Sequence, residues 1–305
     1  MNVTAPVVPD VTAPGATDAW LRRAAVASLA VNILIVVSGG VVRLTGSGLG
    51  CPTWPRCTAS SFVPHRALGI HGAIEFSNRM VTFLLAAVAI ATFVLALRHG
   101  RTAVTRLSVV LALGVPAQAV IGGITVLTDL NPWVVAFHLL VSLAMIAVAV
   151  TLLRRLREGD GPALPVVAPG VVWLARATCL AAWAVLYVGT VVTGSGPHAG
   201  DLKAPRNGLD PRALSQLHTD LVFLLVGLTV AAVLVLRSTG APARAQRAAV
   251  ALLAVELAQG AVGFAQYFSG LPVALVALHL LGAALLSAAV TWLLLGVRDR
   301  GELVV

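Results

Sequence analysis

Two apolar stretches of this chain carry a glutamine and a histidine at one spacing. Gln118-Ala-Val-Ile-Gly-Gly leads to Ala136-Phe137-His138-Leu139-Leu140, and Gln259-Gly-Ala-Val-Gly-Phe leads to Ala277-Leu278-His279-Leu280-Leu281. Imidazole is the commonest side-chain metal ligand, and an ionisable group within an apolar span is costly enough to suggest function. A duplicated apolar hairpin with a matched histidine points to two copies of a site built for a metal or a haem inside a membrane. A third histidine, His218, lies about two turns inside another apolar stretch, the same depth as His279 in its own. Two imidazoles at one depth on opposite sides of a bundle suit the two axial positions of a haem iron. The plainer reading of each is a hydrogen-bonded packing residue.

The first half is not a copy of the second. His138 matches His279, but Asn78 stands where the repeat places His218. Asparagine is a poor iron ligand. The surrounding run is His71-Gly-Ala-Ile-Glu75-Phe-Ser-Asn78-Arg79, in which positions 71, 75 and 78 share one helix face. This half therefore offers one matched histidine, a carboxylate one turn outward and another histidine a turn beyond. His71 lies roughly 10 Å along the helix from Asn78 at about 1.5 Å per residue, so it is not level with His138. Glu75 reads as a catalytic carboxylate or as one end of an i,i+4 ion pair with Arg79. Arg79 reads as a partner for a haem propionate or as a side chain snorkelling to the interface.

These residues need a membrane to stand in. The chain has 305 residues, 58% hydrophobic and 11% charged, against about 25% charged in soluble domains. A span takes roughly 20 mostly apolar residues. Eight are legible, at about 24–43, 71–97, 107–127, 133–153, 172–194, 213–236, 247–268 and 272–296. The predicted fold class is an all-α integral membrane protein whose eight helices form two pseudo-symmetric four-helix bundles. Residues 1–20 read as a disordered tail, 21–160 as an N-terminal half and 165–305 as a C-terminal half, joined by the turn-rich Glu158-Gly-Asp-Gly-Pro-Ala-Leu-Pro. Thr45-Gly-Ser-Gly and Thr193-Gly-Ser-Gly repeat after the first and fifth spans. Even span numbers give both halves one orientation, with the repeat axis along the membrane normal.

The net charge of +9 comes from arginines at span ends, among them Arg22, Arg23, Arg98, Arg101, Arg154, Arg155, Arg244, Arg298 and Arg300. No basic patch for nucleic acid results. The positive-inside rule makes that side cytoplasmic, with both termini inside a multi-pass protein of the plasma membrane. No cleavable signal peptide is expected, since the first apolar stretch is full length. Arginine far outnumbers lysine, which hints at a GC-rich bacterial genome. Cys51 and Cys57 then fall in an outer loop, where a disulfide is permitted, either as a loop clamp or as a redox pair. Cys179 reads as a small core residue. Glu256 reads as a proton-path group or a bundle-facing hydrogen-bond partner, and Asp220 as a possible partner of Arg79. His65 and His198 fall in outer loops, and His99 at a span end. No P-loop, dinucleotide fingerprint, HExxH or CxxC is present.

Thr45-Gly-Ser-Gly-Leu-Gly-Cys51-Pro-Thr-Trp54-Pro55-Arg-Cys57, then Ile74-Glu75-Phe-Ser-Asn78-Arg79, then the helix histidines, resemble the haem A synthase family of bacteria, in an actinobacterial-like variant. The resemblance covers nearly all of the chain after the tail. It implies eight transmembrane helices in two similar halves and oxidation of a methyl group of haem O to the formyl group of haem A, the cofactor of terminal oxidases. It implies a retained haem b held by His218 and His279. It implies a substrate half with His138 as iron ligand, Glu75 as catalytic residue, His71, Asn78 and Arg79 around the haem O, and a Cys51–Cys57 pair. The partners it implies are the haem O-producing enzyme, a terminal oxidase pathway and membrane lipid. Two departures stand out: many members have histidine at the position of Asn78, and some carry a second loop cysteine pair. The rival readings are a two-haem cytochrome that only relays electrons, and a haem transporter.

Overall fold

The structure is a computed structural model that describes residues 16–301. It contains eight helices long and apolar enough to cross a membrane: α1 Ala16–Leu44, α2 Gly69–His99, α3 Thr102–Leu127, α4 Pro132–Arg155, α5 Pro169–Ser195, α6 Pro211–Ser238, α7 Ala243–Phe268 and α8 Val273–Gly296. Helix α1 begins at Ala16, so residues 16–20 of the expected tail are helical, while residues 1–15 lie outside the described residues. Helices α2 to α7 start one to five residues before the apolar runs and α8 one residue after, the largest extensions being the polar first turns of α3 and α7. Asn131 and Asp210 cap α4 and α6 by accepting from the amides of Trp133 and Arg212, each followed by proline at the first helical position. Gly100 ends α2 in the left-handed conformation, which costs glycine nothing.

Helix α1 packs on α2 and α4, α2 on α3, and α3 on α4. Helix α5 likewise packs on α6 and α8, α6 on α7, and α7 on α8. The two rings of four meet where α4 touches α5 and α8 and where α1 touches α8. The largest buried cluster lies at this seam and within the second ring, with Val36, Leu143, Ile146, Leu186, Leu225, Leu252 and Leu293 among its members. Large apolar side chains such as Phe83, Leu113, Leu180 and Phe223 stay exposed, as lipid-facing groups should.

The segment between the rings is not a free turn. Leu164–Pro165 (β1) pairs antiparallel with Arg298–Asp299 (β2), just beyond α8. The Gly159 amide donates to the Gly301 carbonyl, and the Val166 amide to that of Val297. Arg101 and Arg155 both reach the Asp160 carboxylate at 2.9 Å, and Arg154 reaches Glu158 at 2.6 Å. The hydrogen bond from Arg101 holds the Asp160 carboxyl below the usual carboxylate range, with Arg155 adding to it. At the opposite end, Arg43 of α1 donates to the carbonyls of His198 and Thr193, and the Gly48 amide donates to the Gly200 carbonyl.

Candidate functional site

Glu75 and Arg79 lie one turn apart on α2 and form the expected ion pair at 2.6 Å. Both are also built into the loop between α1 and α2. The second oxygen of Glu75 accepts from the Cys51 amide at 2.6 Å. Arg79 donates to the carbonyls of Cys51, Thr53, Pro55 and Arg56 at 3.1–3.3 Å. Its guanidinium thus follows the loop backbone, and Asp220 is not among its partners. Asp220 instead accepts from Gln216 one turn before it on α6. Cys51 and Cys57 form a disulfide with both residues fully buried. The loop tip reaches further: a Cβ on Gly123 of α3 would overlap the Trp54 indole, so glycine makes that seat possible.

The neighbouring Gly122 backs His138, with a Cβ there only 3.3 Å from the imidazole Cε1. The Trp54 tip of the disulfide loop and His138 therefore share adjacent positions of α3. Asn78 faces α1, where its side-chain oxygen accepts from the Ser38 hydroxyl at 2.7 Å. The Nδ1 of His71 pairs with the Ser47 hydroxyl at 2.9 Å. His71 also lines a cavity of about 550 Å³ with Thr45, Leu49, Leu68 and Asp201.

In the second ring the imidazoles of His218 and His279 face each other with centres 6.4 Å apart and planes at 69°. A nitrogen ligand lies about 2 Å from a first-row metal, and the imidazole centre lies roughly 1 Å behind its nitrogen. Two imidazoles on opposite sides of one metal therefore have centres about 6 Å apart, and each ring can twist freely about that axis. The observed separation fits. The Nδ1 atoms of His138, His218 and His279 are all buried without a hydrogen-bond partner, although the Val185 carbonyl lies near His218. A buried ring nitrogen with no partner is costly, and a metal bound at that nitrogen would offset the cost. No group of three or more His, Cys, Asp or Glu residues fit to hold a metal ion occurs among the described residues. A bare ion is thus poorly served, whereas a macrocycle brings four ligands of its own and asks the protein for only one or two. The residues fit a haem.

Other candidates settle into plainer roles. Glu256 accepts from the Thr229 hydroxyl at 2.8 Å, the bundle-facing bond anticipated as one of its two readings, while its other oxygen is buried and unpaired. His198 bonds the Leu271 carbonyl, and His99 pairs with Asp18. Ser38, and the contacts of Ser47 and Trp54, escape the sequence reading, since nothing local marks their distant partners. The glycines behind the histidines were visible: Gly122 and Gly263 each stand four residues after the repeated glutamine.

Residues 22–200 match the family described as COX15-CtaA, cytochrome oxidase assembly protein. The chain belongs to the COX15-CtaA family. The matched region includes the disulfide loop, Glu75, Arg79 and His138. The Heme A synthase of Alkalihalophilus pseudofirmus is 31% identical to this COX15-CtaA chain over 170 residues, covering 53% of this chain and 56% of that protein. The Heme A synthase of an Exiguobacterium species is 32% identical over 133 residues, covering 42% and 43%. The Protoheme IX farnesyltransferase of Thermus thermophilus is 40% identical over 85 residues, covering 27% of this chain and 14% of the Thermus protein. The chain spans 56% or less of the length of each of these three relatives.

Proposed function

We propose that this COX15-CtaA protein is a membrane oxidoreductase that converts the methyl group of haem O to the formyl group of haem A. The observation that carries the reading is the inequality of the two rings. One presents two facing imidazoles 6.4 Å apart. The other presents His138 close to a loop whose backbone is clamped by a carboxylate and a guanidinium. His218 and His279 would hold a haem b, which would supply one-electron transfer. Haem O is the substrate of the first ring, with His138 its one strong protein ligand. Asn78, bonded to Ser38, gives its face no imidazole, in line with the open position that catalytic metals keep.

Glu75 is the proposed catalytic residue. Both oxygens accept a charge-assisted or backbone hydrogen bond, so the carboxylate is held in one orientation. Each oxygen retains a further lone pair, enough to orient a water or take a proton from a hydroxyl. Arg79 holds Glu75 and the loop together, and His71 edges the adjoining cavity. A propionate would have to compete with the loop carbonyls for Arg79. The disulfide is read as a clamp that keeps the loop in this shape.

The arginine-rich helix ends support a reading with both termini in the cytoplasm of a bacterial cell and the disulfide loop outside. The N-terminal half is the substrate half and the C-terminal half the haem b half. The asparagine at position 78 and the arginine-rich composition favour an actinobacterial-like variant. The enzyme that makes haem O and the terminal oxidase that takes haem A are the proposed neighbours in the pathway. Pigment extraction from the purified protein tests the reading. Haem O or haem A beside haem b is expected, and haem b alone would leave an electron relay in its place.

A further inference from the structure

Gln118 and Gln259 have no part in the chemistry above, yet their side chains make the same bond. The Nε2 of Gln118 donates to the backbone carbonyl of His138 at 3.2 Å, and the Nε2 of Gln259 donates to that of His279 at 2.9 Å. Each bond crosses from one helix to the next, α3 to α4 and α7 to α8. A helical carbonyl already accepts from the amide four residues on, and its second lone pair is free for such a bond. The glutamine therefore grips the one residue of the neighbouring helix whose ring faces the metal position. In the first ring the Ser142 hydroxyl joins it, donating to the same His138 carbonyl at 2.9 Å while accepting from Gln118.

One helical turn beyond each glutamine, on the same face, stands a glycine. A Cβ on Gly122 or on Gly263 would lie 3.3 Å from the Cε1 of His138 or of His279, tighter than an ordinary contact. In the second ring a Cβ on Gly282 would overlap the Gln259 carboxamide, so that position too is kept small around the grip. His218 has a glycine floor in Gly189, at 3.1 Å, and no glutamine bond to its carbonyl.

We infer that Gln118 and Gln259 are positioning residues that set the height and ring angle of His138 and His279 through the backbone, with Gly122 and Gly263 as the floors against which the rings rest. The inference rests on the reading of these histidines as haem ligands. It explains why glutamine, glycine and histidine recur together at fixed spacing in the two helix pairs.

The test is Gln259→Met in the full-length purified protein, which keeps length and volume and removes the donor. The readouts are the low-spin electron paramagnetic resonance signal and the midpoint potential of the haem held by His218 and His279, with the melting temperature alongside. Expected are retained haem, a shifted or broadened low-spin signal and a shifted potential. Gln118→Met should leave that signal unchanged, since its histidine lies in the other ring. Gly263→Ala, which presses on the ring itself, should also shift the signal, and it carries the same test if Gln259→Met does not accumulate. A wild-type signal and potential in both Gln259→Met and Gly263→Ala, even with a lowered melting temperature, would reduce the glutamine to a staple between helices and overturn the inference. Absence of a bis-imidazole signal from the wild-type protein is a different result, and it removes the haem reading itself.

Discussion

Glu75→Gln separates the chemistry of the carboxylate from its hold on the loop. In the wild-type protein one oxygen accepts from Arg79 at 2.6 Å and the other from the Cys51 amide at 2.6 Å. Glutamine keeps one acceptor and turns the other position into a donor. If its oxygen stays on the Cys51 amide, its NH2 faces the guanidinium and one charge-assisted bond is lost, worth about 1.5–3 kcal/mol. Arg79 is not stranded, because four loop carbonyls still accept from it. At about 1.4 kcal/mol per decade the loop should open roughly 10- to 150-fold more often, while the helices and the second ring are untouched. The assay pairs haem extraction from membranes with hydrogen exchange of residues 49–57. Haem A should disappear, haem O or a hydroxylated product should accumulate, the His218–His279 haem spectrum should persist, and exchange in the loop should quicken. Normal haem A yield together with faster exchange would refute the reasoning, leaving Glu75 as a loop anchor only.

His218→Ala and His279→Ala should each abolish the low-spin haem b bands or convert them to high-spin, and unchanged optical spectra in both would remove the axial assignment. Cys51→Ser opens a link between cysteines six positions apart, a loss of about 2–3 kcal/mol in the chain-entropy model. Lower activity with an intact fold is expected, checked by thermal melts with and without reductant, and wild-type activity and melting would refute the clamp. The Asp160 carboxyl is held low in the folded state, so its ion pairs stabilise above the unfolded value near 3.9 and are lost as pH falls through the lower folded value. The effect is small, about 0–1 kcal/mol, because the carboxylate is mostly exposed. Asp160→Asn should flatten the melting temperature against pH below about 4, and an unaltered acid limb would show that the pair contributes nothing.

What the sequence made legible follows from what is local. Apolar runs long enough to span marked all eight helices, and i,i+4 spacing marked the Glu75–Arg79 pair. The short link from Cys51 to Cys57 was within reach of their spacing and compartment. Matched depth brought His218 opposite His279, because α6 and α8 lie diagonally across one ring and cross the membrane in the same direction, so residues equally far from their entry points meet at one height. What stayed hidden depends on chain-distant backbone. The Arg79 clasp needs the path of the loop, the Ser38–Asn78 bond needs the register of α1 on α2, and the Arg43 contacts need the second ring. The expected Asp220–Arg79 pair fails because Arg79 is already consumed by its own loop and Asp220 has a partner one turn before it.

The rings are tied to each other at both ends of the seam. On one side Arg43 and Gly48 bond the segment 193–200, and on the other Gly159, Val166 and Arg300 bond across to 297–301 and Gly161. A carrier that shows its site to each side of a membrane in turn has to gape first at one end and then at the other, breaking one set of these ties in every cycle. An electron crossing from one ring to the other asks the reverse of its scaffold: a gap that never changes width. Fastened above and below, the two rings have the ties that a fixed spacer would need and that an alternating carrier would have to break.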